Sequence, residues 1–159
     1  LGCGLRESEI VALDVRDVSA DGVKPFRTLQ LRVFKRGGGH SDPKAQRVPL
    51  PDGTYFKLEK YLKTLDGRKG ALFLSRKKGG RLSTRAVRGL FQRWQVRSGF
   101  DHAYCFHHLR HTSITNMYRK TRDVRICQSF ARHANLQTTT IYSHVSDEEV
   151  LRAAKRLAS

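Results

Sequence analysis

Acidic residues and long apolar runs are scarce in this sequence, and each shortage excludes a class of protein. Fourteen Asp and Glu stand against thirty-one Lys and Arg, which leaves a formal net charge of +17 and excludes an acidic or neutral protein. No run approaches the roughly 18–20 apolar residues of a membrane-spanning helix, and no segment resembles a signal peptide. We therefore expect a soluble, intracellular protein without membrane contact, and its positive field makes nucleic acid the first partner to test.

Cysteine is also scarce, which bears on the redox compartment. Cys3, Cys105 and Cys127 are odd in number and widely spaced, which argues against a disulfide framework and for a reducing compartment. We expect them to serve as small core residues. The 38% hydrophobic content is enough for one modest core, so we expect a single domain over residues 1–159. The chain opens at Leu1 without an initiator Met, and we expect a piece of a larger protein.

Hydrophobic periodicity predicts an α+β fold that is mainly helical, with a small antiparallel sheet near the N-terminus. Residues 29–34 alternate as in a strand, residues 46–50 are the predicted partner strand, and residues 35–44 form a basic, glycine-rich hairpin loop between them. A short third strand is predicted at residues 72–74. Helices are predicted after a Ser8 cap, at 54–65, after a Ser83 cap, at 107–120, 124–132 and 138–144, and from a capping box that starts at Ser146.

Basic residues are concentrated in the middle of the sequence. Between Asp66 and Asp101 there are ten basic residues and no acidic one. Such a run is often only a solvated surface, but ten uncompensated cations favour a surface that faces DNA. The loop at residues 76–81 is too polar to bury, so we expect it to be free to contact phosphate. The predicted DNA-binding residues are Arg36, Lys44, Arg76, Lys77, Lys78, Arg81 and Arg85.

Several residues have the chemistry that phosphodiester transfer requires. The reaction needs cations against the non-bridging oxygens, a nucleophile in line with the leaving oxygen, and an acid to protonate that oxygen. His107 and Arg110 are three residues apart and project from one face of a helix, and a guanidinium group can bind two phosphate oxygens. His133 and Tyr142 are nine residues apart, a spacing that a loop and one helical turn can bring to one site.

In their order along the chain, these residues closely resemble the catalytic signature of the tyrosine recombinases, the phage-integrase family. The likeness spans about residues 1–144 and rests on three segments: Gly4-Leu-Arg6 with Glu9 and Leu13, His107-x-Leu-Arg110-His111, and His133 followed by Thr138, Thr139 and Tyr142. The resemblance implies the catalytic-domain fold of that family, the catalytic domain of a site-specific recombinase or integrase, and no metal or other cofactor. It also implies a helical N-terminal core-binding domain, which we expect to be absent from this chain.

The resemblance implies a role for each catalytic residue. Tyr142 would attack the phosphorus, form a 3′-phosphotyrosyl link and release a 5′-hydroxyl, so that no nucleotide triphosphate is consumed. Arg6 and Arg110 would hold the scissile phosphate, and removal of either would cost on the order of a hundredfold or more in rate. His107 would assist proton transfer at the tyrosine, and His133 would donate a hydrogen bond to the phosphate.

The general acid and two supporting features follow from the same resemblance. The family places a lysine acid in the turn between two strands, and Lys35 is the first candidate because it directly follows a predicted strand. Lys44 is the alternative. Glu9 is expected to orient an arginine or to cap its helix. Directly before His133 the family commonly has glycine, whereas this chain has Arg132, so the turn there cannot use the conformational freedom of glycine.

Partners and competing interpretations complete the expectations. Exchange of two duplexes needs two pairs of active sites, so the resemblance implies a tetramer on double-stranded DNA, while the isolated chain can be monomeric. The last predicted helix, residues 146–157, would reach a neighbouring protomer or pack within its own molecule. We expect a cytoplasmic, nucleoid-associated location. A catalytically silent DNA-binding module of the same fold, a type IB topoisomerase activity, and a zinc site built from Cys105, His107, His108 and His111 remain alternatives.

Overall fold

The computed structural model describes residues 2–31, 46–75 and 79–133. The chain forms two compact units, Leu1–Ser113 and Ile114–Ser159. The described elements confirm a mainly helical α+β fold with a small antiparallel sheet near the N-terminus. They are α1 (Glu7–Ala12), α2 (Val15–Val18), β1 (Thr28–Leu31), β2 (Gln46–Pro49), α3 (Asp52–Lys63), α4 (Thr84–Arg97), α5 (Phe106–Thr121) and α6 (Val124–Ala131).

The two strands pair antiparallel in the register that their alternation predicts. Leu29 lies opposite Val48. These two side chains and Leu31 are buried, whereas Gln30 and Arg47 are exposed, because successive residues of a strand point to opposite faces. The sheet therefore contributes one apolar face to the core of the first unit.

Residues 72–74, which we predicted as a third strand, form only isolated bridges. Ala71 bridges to Asp14, and Leu74 bridges to Arg81. Leu72 is buried, and its N–H donates to the carbonyl of Leu13 at 2.9 Å. The backbone of this segment is satisfied by two different parts of the chain, so no continuous ladder forms and the prediction of a strand is wrong.

Of the two serine N-caps that the sequence predicts, the structure contains the one at α4 and not the one at α1. Ser83 Oγ accepts a hydrogen bond from the backbone of Ala86 at 3.2 Å and caps α4, as predicted. Helix α1 begins before Ser8, because Arg6 is its N-cap residue and the Arg6 N–H donates to Glu9 Oε2 at 2.6 Å. A carboxylate three residues after the cap thus replaces the serine cap that we predicted.

No helix was predicted at residues 15–18, because a single helical turn is too short to show a 3.6-residue periodicity. The N–H of Asp14, its N-cap, donates to Asp17 Oδ2 at 2.8 Å. Both carboxylates are buried. Buried carboxylates need polar partners, and backbone N–H groups at the start of α2 supply them.

Each unit has its own apolar core. The core of the first unit is built by Cys3, Leu13, Val15, Val18, Leu29, Leu31, Val48, Leu50, Leu62 and Leu72. The core of the second unit is built by Ile114, Cys127, Phe130 and Ala131. Burial raises the pKa of the Cys127 thiol and keeps it protonated. Among the described residues, no helix has the length and apolar content that crossing a bilayer requires.

Two of the three cysteines occupy the core positions that we expected, and the third does not. Cys3 and Cys127 are buried, whereas Cys105 is exposed. Cys105 directly precedes α5, and its Sγ lies 3.0 Å from Nδ1 of His108. The core role predicted for Cys105 is therefore wrong, because the residue stands at the exposed entrance to a helix.

Candidate active site

A buried arginine joins two motif segments that are far apart in the sequence. Arg110 lies on α5 with only 4% of its surface exposed, and its Nη1 donates to the carbonyl of Gly4. These residues are 106 positions apart in the sequence. Gly4 has a φ of +55°, a left-handed conformation that favours glycine. The contact brings the Gly-Leu-Arg segment to the helix that carries His107 and Arg110.

Arg6 is held by a carboxylate on its own helix. Its Nη1 donates to Glu9 Oε1 at 2.8 Å, and both side chains are largely buried, at 22% and 12% exposure. The second carboxylate oxygen of Glu9 accepts from the Arg6 backbone. Glu9 thus makes both contacts that the sequence suggested, one that orients an arginine and one that caps the helix.

Two further arginines hold α1 at its two ends. Arg88 on α4 donates to Glu7 Oε2 at 2.7 Å. Arg81 donates to the carbonyls of Val11 at 2.8 Å and Leu13 at 3.1 Å. Carbonyls at a helix C-terminus lack partners within the helix, so Arg81 acts as a side-chain cap for α1. The helix that carries Arg6 is therefore fixed against α4.

The contacts of Arg81 differ from the free side chain that we expected. Besides the two carbonyls, its guanidinium pairs with the Asp14 carboxylate. An arginine with these partners holds α1 in place, and its predicted contact with DNA stays a prediction. Arg85, the second residue of α4, is exposed.

Histidines cluster on the first turns of α5. The rings of His107 and His111 contact edge to face with centroids 4.6 Å apart. Burial, followed by the charges of His107, His108 and Arg110, lowers the pKa of His111 below its ordinary value. A neutral His111 adds no positive charge beside Arg110, and His107 itself is exposed.

Gln95 is a site residue that the sequence did not reveal. It lies on α4 with 3% exposure, its Nε2 donates to the carbonyl of Tyr104 at 3.0 Å, and its Oε1 accepts from the N–H of Tyr104 at 2.7 Å. The two bonds close the loop directly before α5 and so fix where His107 enters the helix. A glutamine in a basic amphipathic helix has no pattern that distinguishes it from a surface residue.

In the second unit, the backbone around His133 is held by Gln128. The His133 N–H donates to the Gln128 carbonyl at 3.2 Å, and Gln128 Nε2 donates to the His133 carbonyl at 3.2 Å. Between α6 and His133, Arg132 takes a left-handed φ of +55°. This is the conformation that glycine usually supplies at a helix C-terminus. Arginine therefore adopts the turn geometry that the sequence put in doubt.

Three of the predicted catalytic residues, Arg6, His107 and Arg110, lie in the first unit, and His133 lies in the second. Other predicted site residues lie outside the described residues: Lys35, Arg36, Lys44, Arg76, Lys77, Lys78 and Tyr142. The helices predicted at 138–144 and 146–157 also lie there. Within residues 2–31, 46–75 and 79–133, no group of three or more His, Cys, Asp or Glu side chains has the arrangement of a metal site.

The similarity to known proteins extends over the segments that carry these motifs. The sequence model described as the phage integrase family matches residues 1–149. The tyrosine recombinase XerC of Proteus mirabilis is 30% identical over 154 residues, which are 95% of this chain and 47% of that protein. XerC of Escherichia coli O1:K1 is 34% identical over 147 residues, 91% of this chain and 45% of that protein. The chain thus spans about half the length of these relatives.

Solved structures share the fold. The XerA recombinase superposes with a TM-score of 0.72 at 24% identity, covering 99% of this chain and 54% of the other. The Tn1549 transposon integrase, solved in complex with transposon right end DNA, superposes with a TM-score of 0.76 at 22% identity, covering 99% of this chain and 56% of the other. These likenesses confirm the fold that the motifs predicted.

Proposed function

The chain belongs to the phage integrase family, and on this premise we propose that it is the catalytic domain of a site-specific DNA recombinase or integrase. The reaction is DNA strand cleavage and rejoining through a covalent protein–DNA intermediate. The observation that carries the proposal is the Arg110 contact with Gly4, because it brings the segment of Arg6 to the helix of Arg110 and His107. Two guanidinium groups and an imidazole on joined segments suit a phosphate with developing negative charge.

Cleavage is a single phosphoryl transfer. The Tyr142 oxygen attacks phosphorus, a P–O bond to tyrosine forms, and the P–O bond to the 5′ oxygen breaks. The phenol gives up its proton with the help of His107, and the leaving 5′ oxygen takes a proton from Lys35, with Lys44 as the alternative acid. Rejoining is the reverse, with a second 5′-hydroxyl attacking the phosphotyrosine. Because the bond to tyrosine conserves the phosphodiester, the reaction needs no nucleotide triphosphate.

Charge stabilisation in this scheme comes from protein side chains. Arg6 and Arg110 hold the non-bridging oxygens, and His133 donates a hydrogen bond to the same group. Glu9 acts through Arg6, since its carboxylate sets the direction of that guanidinium. No step needs a metal ion, so chelation should leave the rate of cleavage unchanged.

The partner in this proposal is double-stranded DNA. A net charge of +17 favours binding to a polyanion, and the Tn1549 integrase with which the chain superposes was solved with DNA. Exchange of two duplexes requires a tetramer on DNA, while the chain without DNA can be monomeric. Binding to DNA would place the protein with the nucleoid.

A covalent-trapping experiment tests this function. A pool of duplexes with a randomised central sequence and a nick near its middle loses a short 5′-hydroxyl fragment after cleavage, so the adduct accumulates. The chain should form a denaturant-resistant adduct with and without a chelator, and Tyr142→Phe should form none. Arg110→Lys keeps the charge but not the planar fork, and it should lower adduct formation by on the order of a hundredfold.

Other outcomes identify the competing functions. Binding of duplex DNA with no adduct on any member of the pool indicates the catalytically silent module. Relaxation of a supercoiled plasmid without strand exchange indicates a type IB topoisomerase activity. An adduct that survives in Tyr142→Phe contradicts the assignment of the nucleophile.

A further inference from the structure

An apolar groove with basic residues runs along α4, outside the residues that the proposed reaction uses. Its volume is about 480 Å³, and its walls include Leu90, Phe91, Trp94 and Phe106, while Arg93 and Arg97 also line it. The volume falls in the roughly 300–1,000 Å³ range of sites that bind small organic groups. Leu90 is 48% exposed and Trp94 is 55% exposed, so the groove presents its apolar surface openly. We call it the α4 groove.

Aromatic rings continue from the groove along the surface. Phe91 and Trp94 lie nearly parallel, at 13° with centroids 6.5 Å apart. The ring centroids of Trp94 and Phe100 are 5.7 Å apart, and those of Phe100 and Tyr104 are 5.9 Å apart. Phe100 is 45% exposed and Tyr104 is 38% exposed. A connected series of exposed rings is costly in water unless a partner covers it, and flat aromatic partners suit it best.

The charge beside these rings is of one sign. Arg93 and Arg97 are four residues apart on α4, so they lie on one side of the helix and flank Trp94. Both are exposed. Among the described residues that line the α4 groove, none is acidic. The surface therefore combines faces for stacking flat rings with cations for an anionic backbone.

We propose that the α4 groove binds unpaired bases of a single DNA strand, with Trp94 as the stacking platform and Arg93 and Arg97 on the adjacent phosphates. Stacking on exposed rings beside a basic track is the general way in which proteins hold single strands without reading sequence. A duplex presents its phosphates but keeps its bases stacked inside, so it can use the arginines and not the rings. This proposal rests on DNA as the partner and not on the catalytic chemistry.

The same surface fits other occupants less well. A second copy of this chain carries the same positive charge, so bringing two α4 grooves together places four arginines side by side. A purely apolar helix would fill the groove but would leave Arg93 and Arg97 without counter-charges. A strand of nucleic acid satisfies both the apolar and the charged part of the surface.

Trp94 is the only tryptophan in the sequence, so the intrinsic fluorescence of the full chain reports directly on the α4 groove. Titration with an oligothymidylate should quench this fluorescence, whereas a duplex of equal length and comparable binding should leave it nearly unchanged. The Tyr142→Phe variant should give the same quenching. A failure of strand cleavage would therefore not affect this result, and a failure of quenching would not affect the test of cleavage.

Variants separate stacking from charge. Trp94→Leu should weaken oligothymidylate binding roughly tenfold while duplex binding stays within twofold, and Trp94→Phe should restore most of the loss. Phe56, which is 60% exposed on α3, supplies the matched control, and Phe56→Leu should change neither affinity. The double substitution of Arg93 and Arg97 by Gln should make the slope of log affinity for the single strand against log salt concentration shallower by roughly 1.4.

Three results would overturn the proposal. One is an equal loss of single-strand and duplex affinity in Trp94→Leu. Another is a Trp94 emission that shifts with protein concentration in the absence of DNA, which would identify a second copy as the occupant. The third is Trp94 emission inaccessible to acrylamide in the full chain, which would show that the chain itself covers the groove.

Discussion

At the scale of single residues, the placement of the cationic groups depends on backbone carbonyls and one carboxylate. Arg110 is fixed by the carbonyl of Gly4, and Arg6 is fixed by both oxygens of Glu9. Charge-assisted hydrogen bonds of this kind are directional as well as strong. Both arginines are therefore oriented without a ligand, and in the proposed reaction this orientation would lower the reorganisation that catalysis requires.

His111 should make the stability of the protein depend on pH. Its pKa in the folded chain lies below the ordinary 6.5, so the unfolded chain takes up a proton more readily. The contribution is present in full above pH 6.5 and is lost as the pH falls below 6.5 and through the lower pKa of the folded chain. Urea unfolding measured from about pH 8 to about pH 5 should show this loss, and His111→Asn should reduce its slope.

The wild type, measured over the same pH range, is the reference for this comparison. An equal slope in the wild type and in His111→Asn would contradict the role assigned to His111.

Arg132 should be the rare position where glycine stabilises. A non-glycine residue in the left-handed conformation costs roughly 1 kcal/mol, and Arg132 has a φ of +55°. Arg132→Gly should raise the free energy of unfolding by several tenths of a kcal/mol to about 1 kcal/mol. Arg125→Gly, in the same helix at an ordinary helical position, should lower it. A loss of stability in Arg132→Gly would contradict the argument from backbone strain.

At the scale of elements, α4 is the support on which the site is assembled. Arg88 and Gln95, both on α4, hold the start of α1 and the loop before α5, and Arg81, three residues before α4, holds the end of α1. The two helices that carry the motif residues of the first unit are thereby fixed to one scaffold. Residues without any catalytic chemistry therefore set the geometry of the site.

Gln95→Leu should be markedly destabilising, because it removes both hydrogen bonds that the buried Gln95 amide makes to the backbone of Tyr104. We expect a loss of about 1–3 kcal/mol in the free energy of unfolding, measured by chemical denaturation. Gln92→Leu, at an exposed position on the same helix, should change stability by less than about 0.5 kcal/mol. Equal effects of the two variants would mean that the bonds to Tyr104 do not support the loop.

Arg81 and Arg85 should respond in opposite ways to the same substitution. Arg81→Met removes a cap and the partner of a buried carboxylate, and we expect a loss of roughly 1–2 kcal/mol, discounted because its side chain is 40% exposed. Arg85→Met should leave stability unchanged and weaken DNA binding. Denaturation and DNA-binding measurements on both variants test this, and a stable Arg81→Met with impaired DNA binding would reverse the two roles.

At the scale of the whole molecule, local sequence patterns predicted most elements but not the long-range contacts that hold them in place. Ser83 and the apolar spacing after it predicted α4, and the alternation at Leu29 and Leu31 predicted β1, because both signals are local. Two predictions were wrong: that residues 72–74 form a strand, and that the Arg81 side chain is free. In both cases the answer depended on contacts with Asp14 and its neighbours, which are far away in the sequence.

The candidate site divides in the same way. Arg6, His107, Arg110 and His133 were predicted from the sequence because their types suit phosphoryl transfer and their order resembles the family signature, and their catalytic roles stay predictions. Gln95 and Gln128 could not be identified from the sequence. A side-chain amide that hydrogen-bonds to the backbone of a loop or turn leaves no periodic or compositional signal. Positioning residues of this kind can be recognised only in the folded structure.

The central claim is that Tyr142 forms a covalent bond to a DNA 3′-phosphate with Arg6 and Arg110 around the phosphorus. Peptide mapping by mass spectrometry of the adduct trapped on nicked DNA tests it most directly. The account predicts a nucleotide-3′-phosphate mass on the peptide that contains Tyr142, and a 5′-hydroxyl on the released fragment. An adduct on another residue, or cleaved DNA with free ends and unmodified protein, would contradict it.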